Sequence, residues 1–162
     1  MIVPYTIVQP AVRAALDQTG REWEPVNVSG SDDAYWQLLS DLWDARESFA
    51  IVEHDVIVRP DTLDLIEACQ SPWCSWRIHY GGQAYPGLGC AKFTAEIISR
   101  VPNALELVGQ MSDATHPPKH WCRLDAWLQY TVLPLHGCRM CVHGPVLDHY
   151  RPPGVRGSSH GC

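Results

Sequence analysis

A chain of 162 residues and 18.1 kDa has the length of one domain, and at that size about 68–70% of the extended chain's surface is buried on folding, so a core forms without staples. With 46% hydrophobic and 19% charged residues, the composition is that of a globular protein and excludes a disordered one. A net charge of −6 argues against a broad basic face that grips nucleic acid, while leaving room for a local strip.

No run of about 18 apolar residues is present, and Met1-Ile2-Val3-Pro4-Tyr5 lacks a basic n-region, so a soluble, cytoplasmic protein with no membrane partner is expected. Seven cysteines, an odd number without a secretory signal, favour reduced thiols over a disulfide framework. Seven tryptophans against two phenylalanines suggest rings lining a cleft, because an indole N–H needs a partner.

Ile2 to Val8 reads as a short strand containing Pro4, and Pro10 to Leu16 as a helix with proline in its first turn, closed by Gly20. Trp23 to Val28 is a second strand. Ser31 or Asp32 can cap the next helix, Ala34 to Arg46, whose apolar positions Tyr35, Leu38, Leu39, Leu42 and Trp43 follow helical spacing. A third strand, Phe49 to Val58, follows. Strand, helix, strand, helix, strand is the first half of a doubly wound α/β sheet, in which ligands bind beyond the carboxyl ends of the strands.

That third strand carries Glu53-His54-Asp55 inside an apolar run. Carboxylates are almost never fully buried without a partner. On a strand the two acids share a side and reach one cation, and oxygen ligands suit Mg or Mn. The plainer reading is two solvated acids at a strand end.

Beyond it, Thr62 to Cys69 reads as a helix and Ser71 to Tyr80 as an aromatic strand. Gly81 to Cys90 reads as a flexible glycine-rich loop, after which Ala91 to Arg100 resumes as a helix. Ser112 to His120 reads as a loop, and Trp121 opens a helix through Leu133 that places Asp125 in or beside its first turn, where capping alone would account for it. Arg139 to His143 reads as a last short strand. From His143 onward the chain is too rich in glycine and proline for regular structure. A single domain over 1–150 with a tail over 151–162 is expected.

The E-x-D pair, the later helix-opening aspartate, and the C-terminal H-x-P-x-L-x-H followed by G-x-x-G-S-S together resemble small metal-dependent glycosyltransferases of the GT-A fold, including compact ones encoded by phages. The resemblance runs from Ile2 to about Ser159 and is weakest between 95 and 120. It implies an open, twisted, mostly parallel Rossmann-like sheet with helices on both faces. It also implies transfer of a sugar from a nucleotide-sugar donor to a hydroxyl acceptor with Mn or Mg, by inversion.

Residue by residue, the resemblance implies that Asp55 is the last acid of the D-x-D motif, holding the metal on the donor diphosphate. Glu53 replaces the motif's first aspartate. Asp125, in Leu124-Asp125, resembles the catalytic acid of the x-E-D motif. His149 resembles the histidine completing the metal shell, with spacing one residue shorter than in relatives, and His143 is the alternative. Gly87-Leu88-Gly89 resembles the segment beside the donor sugar, and Trp121 the aromatic flanking the acceptor. Arg151, Arg156 and Ser158 fall where a closing tail meets the diphosphate. Tyr5, Thr6 and His54, with Asp32 or Asp33, would face the nucleotide. The acceptor stays open, with hydroxymethylated DNA bases and saccharides among the candidates.

A second reading is a zinc-binding interaction module built on His136, Cys138, Cys141 and His143. C-x-x-C is a genuine metal spacing, but all four residues lie within one short segment, whereas structural zinc sites draw ligand pairs from separated ones. Cys74 or Cys90 as a nucleophile is weaker, neither having an evident histidine partner.

Overall fold

The computed structural model describes residues 1–31, 33–80, 82–111 and 119–150. In chain order these form β1 (Ile2–Tyr5), α1 (Pro10–Gln18), β2 (Glu24–Asn27), α2 (Ala34–Asp44), β3 (Phe49–Val52), β4 (Val56–Ile57) and α3 (Thr62–Ala68). Then come β5 (Trp73–Tyr80), β6 (Gln83–Phe93), α4 (Ala95–Arg100) and α5 (Ala104–Gln110). One long helix runs as α6 (Trp121–Arg123), a π-helical segment (Leu124–Val132) and α7 (Leu133–Leu135), before β7 (Cys141–His149).

The seven strands lie in the order β2-β1-β3-β6-β5-β7-β4. β1 is parallel to β2 and β3, and β5 to β7, but β3–β6, β5–β6 and β4–β7 are antiparallel. The expected mostly parallel sheet is therefore a mixed one. The cause lies in the segment that reads as a glycine-rich loop. Gln83–Phe93 is instead an eleven-residue strand folded back on β5, with Gly82 at φ 87° in the reversal. Its weak strand residues are held from both sides, since Ser75 Oγ donates to the Gly87 carbonyl at 2.6 Å and Tyr130 OH to that of Pro86 at 2.8 Å. The helix expected from Ala91 starts only at Ala95, after Thr94.

The C-terminal strand is likewise longer than its composition suggests. β7 runs nine residues through Gly144 and Pro145. Its ladder with β5 shifts register between Trp76 and Ile78, so Pro145, which has no N–H, falls where the pairing skips. There its carbonyl accepts the Trp76 indole N–H at 2.6 Å.

The link Glu53-His54-Asp55 fixes the shape of the sheet. It joins β3, near one side, to β4 at the far edge. Four ladder spacings in a flat sheet would separate them by about 19 Å, whereas four residue steps span at most about 14 Å. The sheet therefore curls, carrying β4 and the end of β7 back over the centre. Tyr150 N–H donates to the Asp55 carbonyl at 2.5 Å and closes the curl.

Alternation along the strands divides the core. Ile51, Trp73 and Phe93 face Trp36, Leu39 and Trp43 of α2, Ile97 and Ile98 of α4, and Leu124 and Leu128 of the π segment. Val52, Trp76 and Cys90 face Val12 and Leu16 of α1 with Leu63 and Ile66 of α3. Helices thus cover both faces, and none among the described residues is long and apolar enough to cross a membrane. Trp73 is fully buried, stacked 5.7 Å from Phe93, with its N–H on the Cys138 carbonyl. Trp73→Ala is expected to cost about 3–5 kcal/mol in urea unfolding, as truncation of a buried large aromatic does.

Candidate functional site

Because β1 and β3 run parallel as neighbours, their carboxyl ends lie side by side. Thr6, just past β1, places its hydroxyl 3.3 Å from His54 Nε2. Glu53 continues the β3–β6 pairing, its N–H bonded to the Gly89 carbonyl at 2.9 Å, and Val56 N–H returns to the Glu53 carbonyl at 3.1 Å to make the turn. Glu53 Oε1 accepts the Tyr35 hydroxyl at 2.8 Å. Burial, and then the nearby Asp125 and Asp55 carboxylates, push the Glu53 carboxyl up to about 8 against the pull of the Tyr35 bond.

Asp55 meets a residue remote in sequence. Its Oδ2 lies 2.9 Å from His149 Nε2, because β4 pairs Val56 directly with His149. Burial works against the charged carboxyl, but the bond to His149 and attraction to His149 and His54 prevail and hold it below the usual range. The other oxygen, Asp55 Oδ1, is buried without a hydrogen-bond partner.

Asp125 enters from the π segment. Its side-chain bonds go to Leu88 of β6 and to the Gln129 side chain. Its Oδ1 accepts the Leu88 N–H at 2.8 Å and the Gln129 amide at 2.8 Å, so the carboxylate is tied to β6 at the Gly87-Leu88-Gly89 stretch. Gly87 is not required for this approach, whereas Gly89 makes room for Ile78 and Glu53. A Cβ on Gly87 would stand 3.5 Å from Asp125 Oδ1, and one on Gly89 only 2.7 Å from Ile78 Cδ1 and 3.2 Å from Glu53 Oε2. Burial raises the Asp125 carboxyl, partly offset by the Leu88 and Gln129 bonds.

The structure thus gathers Glu53, His54, Asp55, Asp125, His149, Thr6, Gly87 and Gly89 into one cluster. Tyr5 ends β1 beside Thr6, and Trp121 opens α6, 40% exposed and stacked on His120. Exposed Tyr85 and Tyr130 stand beside the Gly87 stretch. Asp32, Arg151, Arg156 and Ser158 lie outside the described residues. Two surface depressions of about 380 and 510 Å³ are lined by other residues, the first by Arg21 and Glu67 and the second by Trp36 and Lys119.

Two residues of this cluster carry no clear sequence signal for it. Tyr35 reads as a core position of α2, although its hydroxyl serves Glu53. Gln129 stood four residues after Asp125, and that helical spacing was the available signal.

His143 is not the alternative ligand at Asp55. It sits six residues before His149 on β7, about 20 Å away along an extended strand, with its ring stacked 4.9 Å from Trp76. Nor do His136, Cys138, Cys141 and His143 form one site. Cys138 is buried in the α2-side core beside Arg100, while His143 turns toward Cys69 and Cys74 on the other face. The strand and the preceding turn simply send these side chains to opposite sides.

Asp55 fits a divalent cation in its chemistry, a buried unpartnered carboxylate oxygen beside an imidazole and two further acids. The ligand atoms of Glu53, Asp55 and His149 are not, however, all within 4.8 Å of one another, and Glu53 is engaged by Tyr35.

No family model and no curated protein matches the chain. Solved structures do. A197 from STIV superposes with a TM-score of 0.54 at 9% identity, over 99% of this chain and 97% of that one. A glycosyltransferase involved in the glycosylation of the major capsid of PBCV-1 superposes with a TM-score of 0.52 at 14% identity, over 89% of this chain and 80% of that one. The mixed α/β fold is therefore similar to that of a glycosyltransferase.

Proposed function

We propose that this chain is a glycosyltransferase that moves a sugar from a nucleotide-sugar donor to a hydroxyl acceptor, with a divalent cation and inversion at the anomeric carbon. One observation carries the reading. Asp125, far along the chain, is held by the Leu88 N–H within electrostatic reach of the Glu53-His54-Asp55 turn, at the carboxyl ends of β1 and β3. A fold shared with a glycosyltransferase supports it.

Asp125 acts as the base. With Oδ1 occupied by Leu88 and Gln129, Oδ2 is the oxygen left for an acceptor hydroxyl. Burial raises its proton affinity, which suits a carboxylate that must accept a proton near neutral pH. As Asp125 takes that proton, the acceptor oxygen bonds to the anomeric carbon and the bond to the diphosphate breaks from the opposite face, its electron pair leaving with the diphosphate. Asp55 and His149 would hold Mn or Mg, with Glu53 close by, and the bound ion would supply positive charge to that leaving group. On this reading Tyr5, Thr6 and His54, with Asp32, would bind the nucleotide, and Arg151, Arg156 and Ser158 would bind the diphosphate, as the resemblance implies. Trp121, Tyr85 and Tyr130 offer ring faces to the acceptor.

The test is a thermal-shift screen of sugar nucleotides with and without Mn, followed by assay of nucleoside diphosphate release. At least one donor is expected to raise the unfolding midpoint only when Mn is present. If no sugar nucleotide shifts it, the reading fails.

A further inference from the structure

A second cluster of ligating side chains lies on the α1/α3 side of the sheet, apart from the Asp55 and Asp125 carboxylates. The thiols of Cys69 and Cys74 and a ring nitrogen of His143 all lie within 4.8 Å of one another. Cys141 joins them, its Sγ 4.0 Å from His143 Nε2 and its thiol in contact with that of Cys69. Two separated segments therefore supply two ligands each, Cys-x4-Cys from the turn after α3 into β5 and Cys-x-His from β7.

The fold fixes all four. Parallel pairing sets Cys74 against Cys141 and Trp76 against His143, so the β7 pair faces the β5 side chains in register. The His143 ring is oriented by its stack on Trp76, an indole whose N–H is itself held by the Pro145 carbonyl. Cys69 follows the last residue of α3, and its carbonyl accepts Lys92 Nζ at 2.6 Å. Cys74 is fully buried while Cys69, Cys141 and His143 keep partial access, which gives an ion a way in.

We infer that Cys69, Cys74, Cys141 and His143 form a structural zinc site, which ties the end of α3 to β5 and β7. Tetrahedral zinc, with Zn–S near 2.3 Å and Zn–N near 2.0–2.1 Å, needs ligand atoms roughly 3.5–3.8 Å apart, so Cys69, Cys74 and His143 require only small side-chain turns, while Cys141, 4.0 Å from His143 but not within 4.8 Å of all three, swings further to complete the shell. Soft thiolates with one imidazole select zinc over Mg or Mn. Binding releases the three thiol protons, and three thiolates with one Zn leave a single negative charge that Lys92 stands ready to balance.

The test uses the full chain, purified without added metal, loaded with zinc and dialysed. One zinc per chain by mass spectrometry is expected, with three thiols shielded from a thiol reagent until a chelator is added. Replacement by cobalt is expected to give the strong visible bands of a tetrahedral site and a thiolate-to-cobalt charge-transfer band, a readout that needs no variant. Cys69→Ser and His143→Asn should bind zinc at least ~10-fold more weakly, since even outer-shell losses cost 10–100-fold, while Asp55→Asn and His136→Asn should bind it unchanged. A chain that stays zinc-free after loading overturns the site. So does zinc retained in full by Cys69→Ser and His143→Asn, or a native mass showing Cys69 joined to Cys74 or Cys141 as a disulfide.

Discussion

Asp125→Asn is expected to lower the rate of sugar transfer by ~10²–10⁴-fold while leaving donor binding within a few-fold of the native value. Asparagine keeps the oxygen that accepts the Leu88 N–H and the Gln129 amide, so the connection between the π segment and β6 survives. What disappears is the second carboxylate oxygen and its capacity to take a proton. The discriminating measurement is turnover at saturating donor, alongside a binding isotherm for the same donor. A loss confined to turnover fits a base. An equal loss in binding would make Asp125 a structural acid that only anchors Leu88, and unchanged turnover would remove it from the chemistry altogether.

Asp55→Asn addresses the cation. In the native chain a donor at 100 times its Kd, present with Mn, adds about 2.7 kcal/mol of apparent stability, and for a protein of this size that corresponds to roughly 5–10 °C in Tm. Asparagine occupies the same space and keeps one oxygen, but it is uncharged and a poor partner for a hard cation. The Mn-dependent part of the shift is expected to vanish in Asp55→Asn, while any shift that the donor gives without Mn stays. A full Mn-dependent shift in the variant would take the ion away from Asp55. This outcome is separate from the thiol cluster on the other side of the sheet, whose zinc content Asp55→Asn should leave untouched.

The structure and the sequence part company at identifiable places. Local signals located β1, α1, β2, α2 and α3 to within a few residues, because proline at Pro10, the positive-φ Gly20 and the helical spacing in α2 each act within a turn of the chain, whereas the strand expected over Phe49 to Val58 breaks after Val52 into β3 and β4. Local signals do not show Gln83–Phe93 as a strand and stop β7 at His143, for one reason. Each is a strand built from residues that form poor strands, and each is held by neighbours distant in sequence, β6 by Ser75 and Tyr130 and β7 by β5 and Trp76. Once β6 folds back on β5, the sheet has to be mixed.

The acid pair illustrates the same limit. Alternation predicts that Glu53 and Asp55 share a side and one ion, yet the chain turns there, giving Glu53 to Tyr35 and Asp55 to His149. Residue types and their spacing along the chain settled which groups were available: acids in an apolar run, a later helix-opening aspartate, glycines, and clustered cysteines and histidines. Which of them meet was decided only by the curl of the sheet and the pairing of β7, which brought His149 to Asp55 and sent His143 to Cys69 and Cys74. Backbone preference acts over one turn of chain, whereas those meetings depend on contacts between segments tens of residues apart.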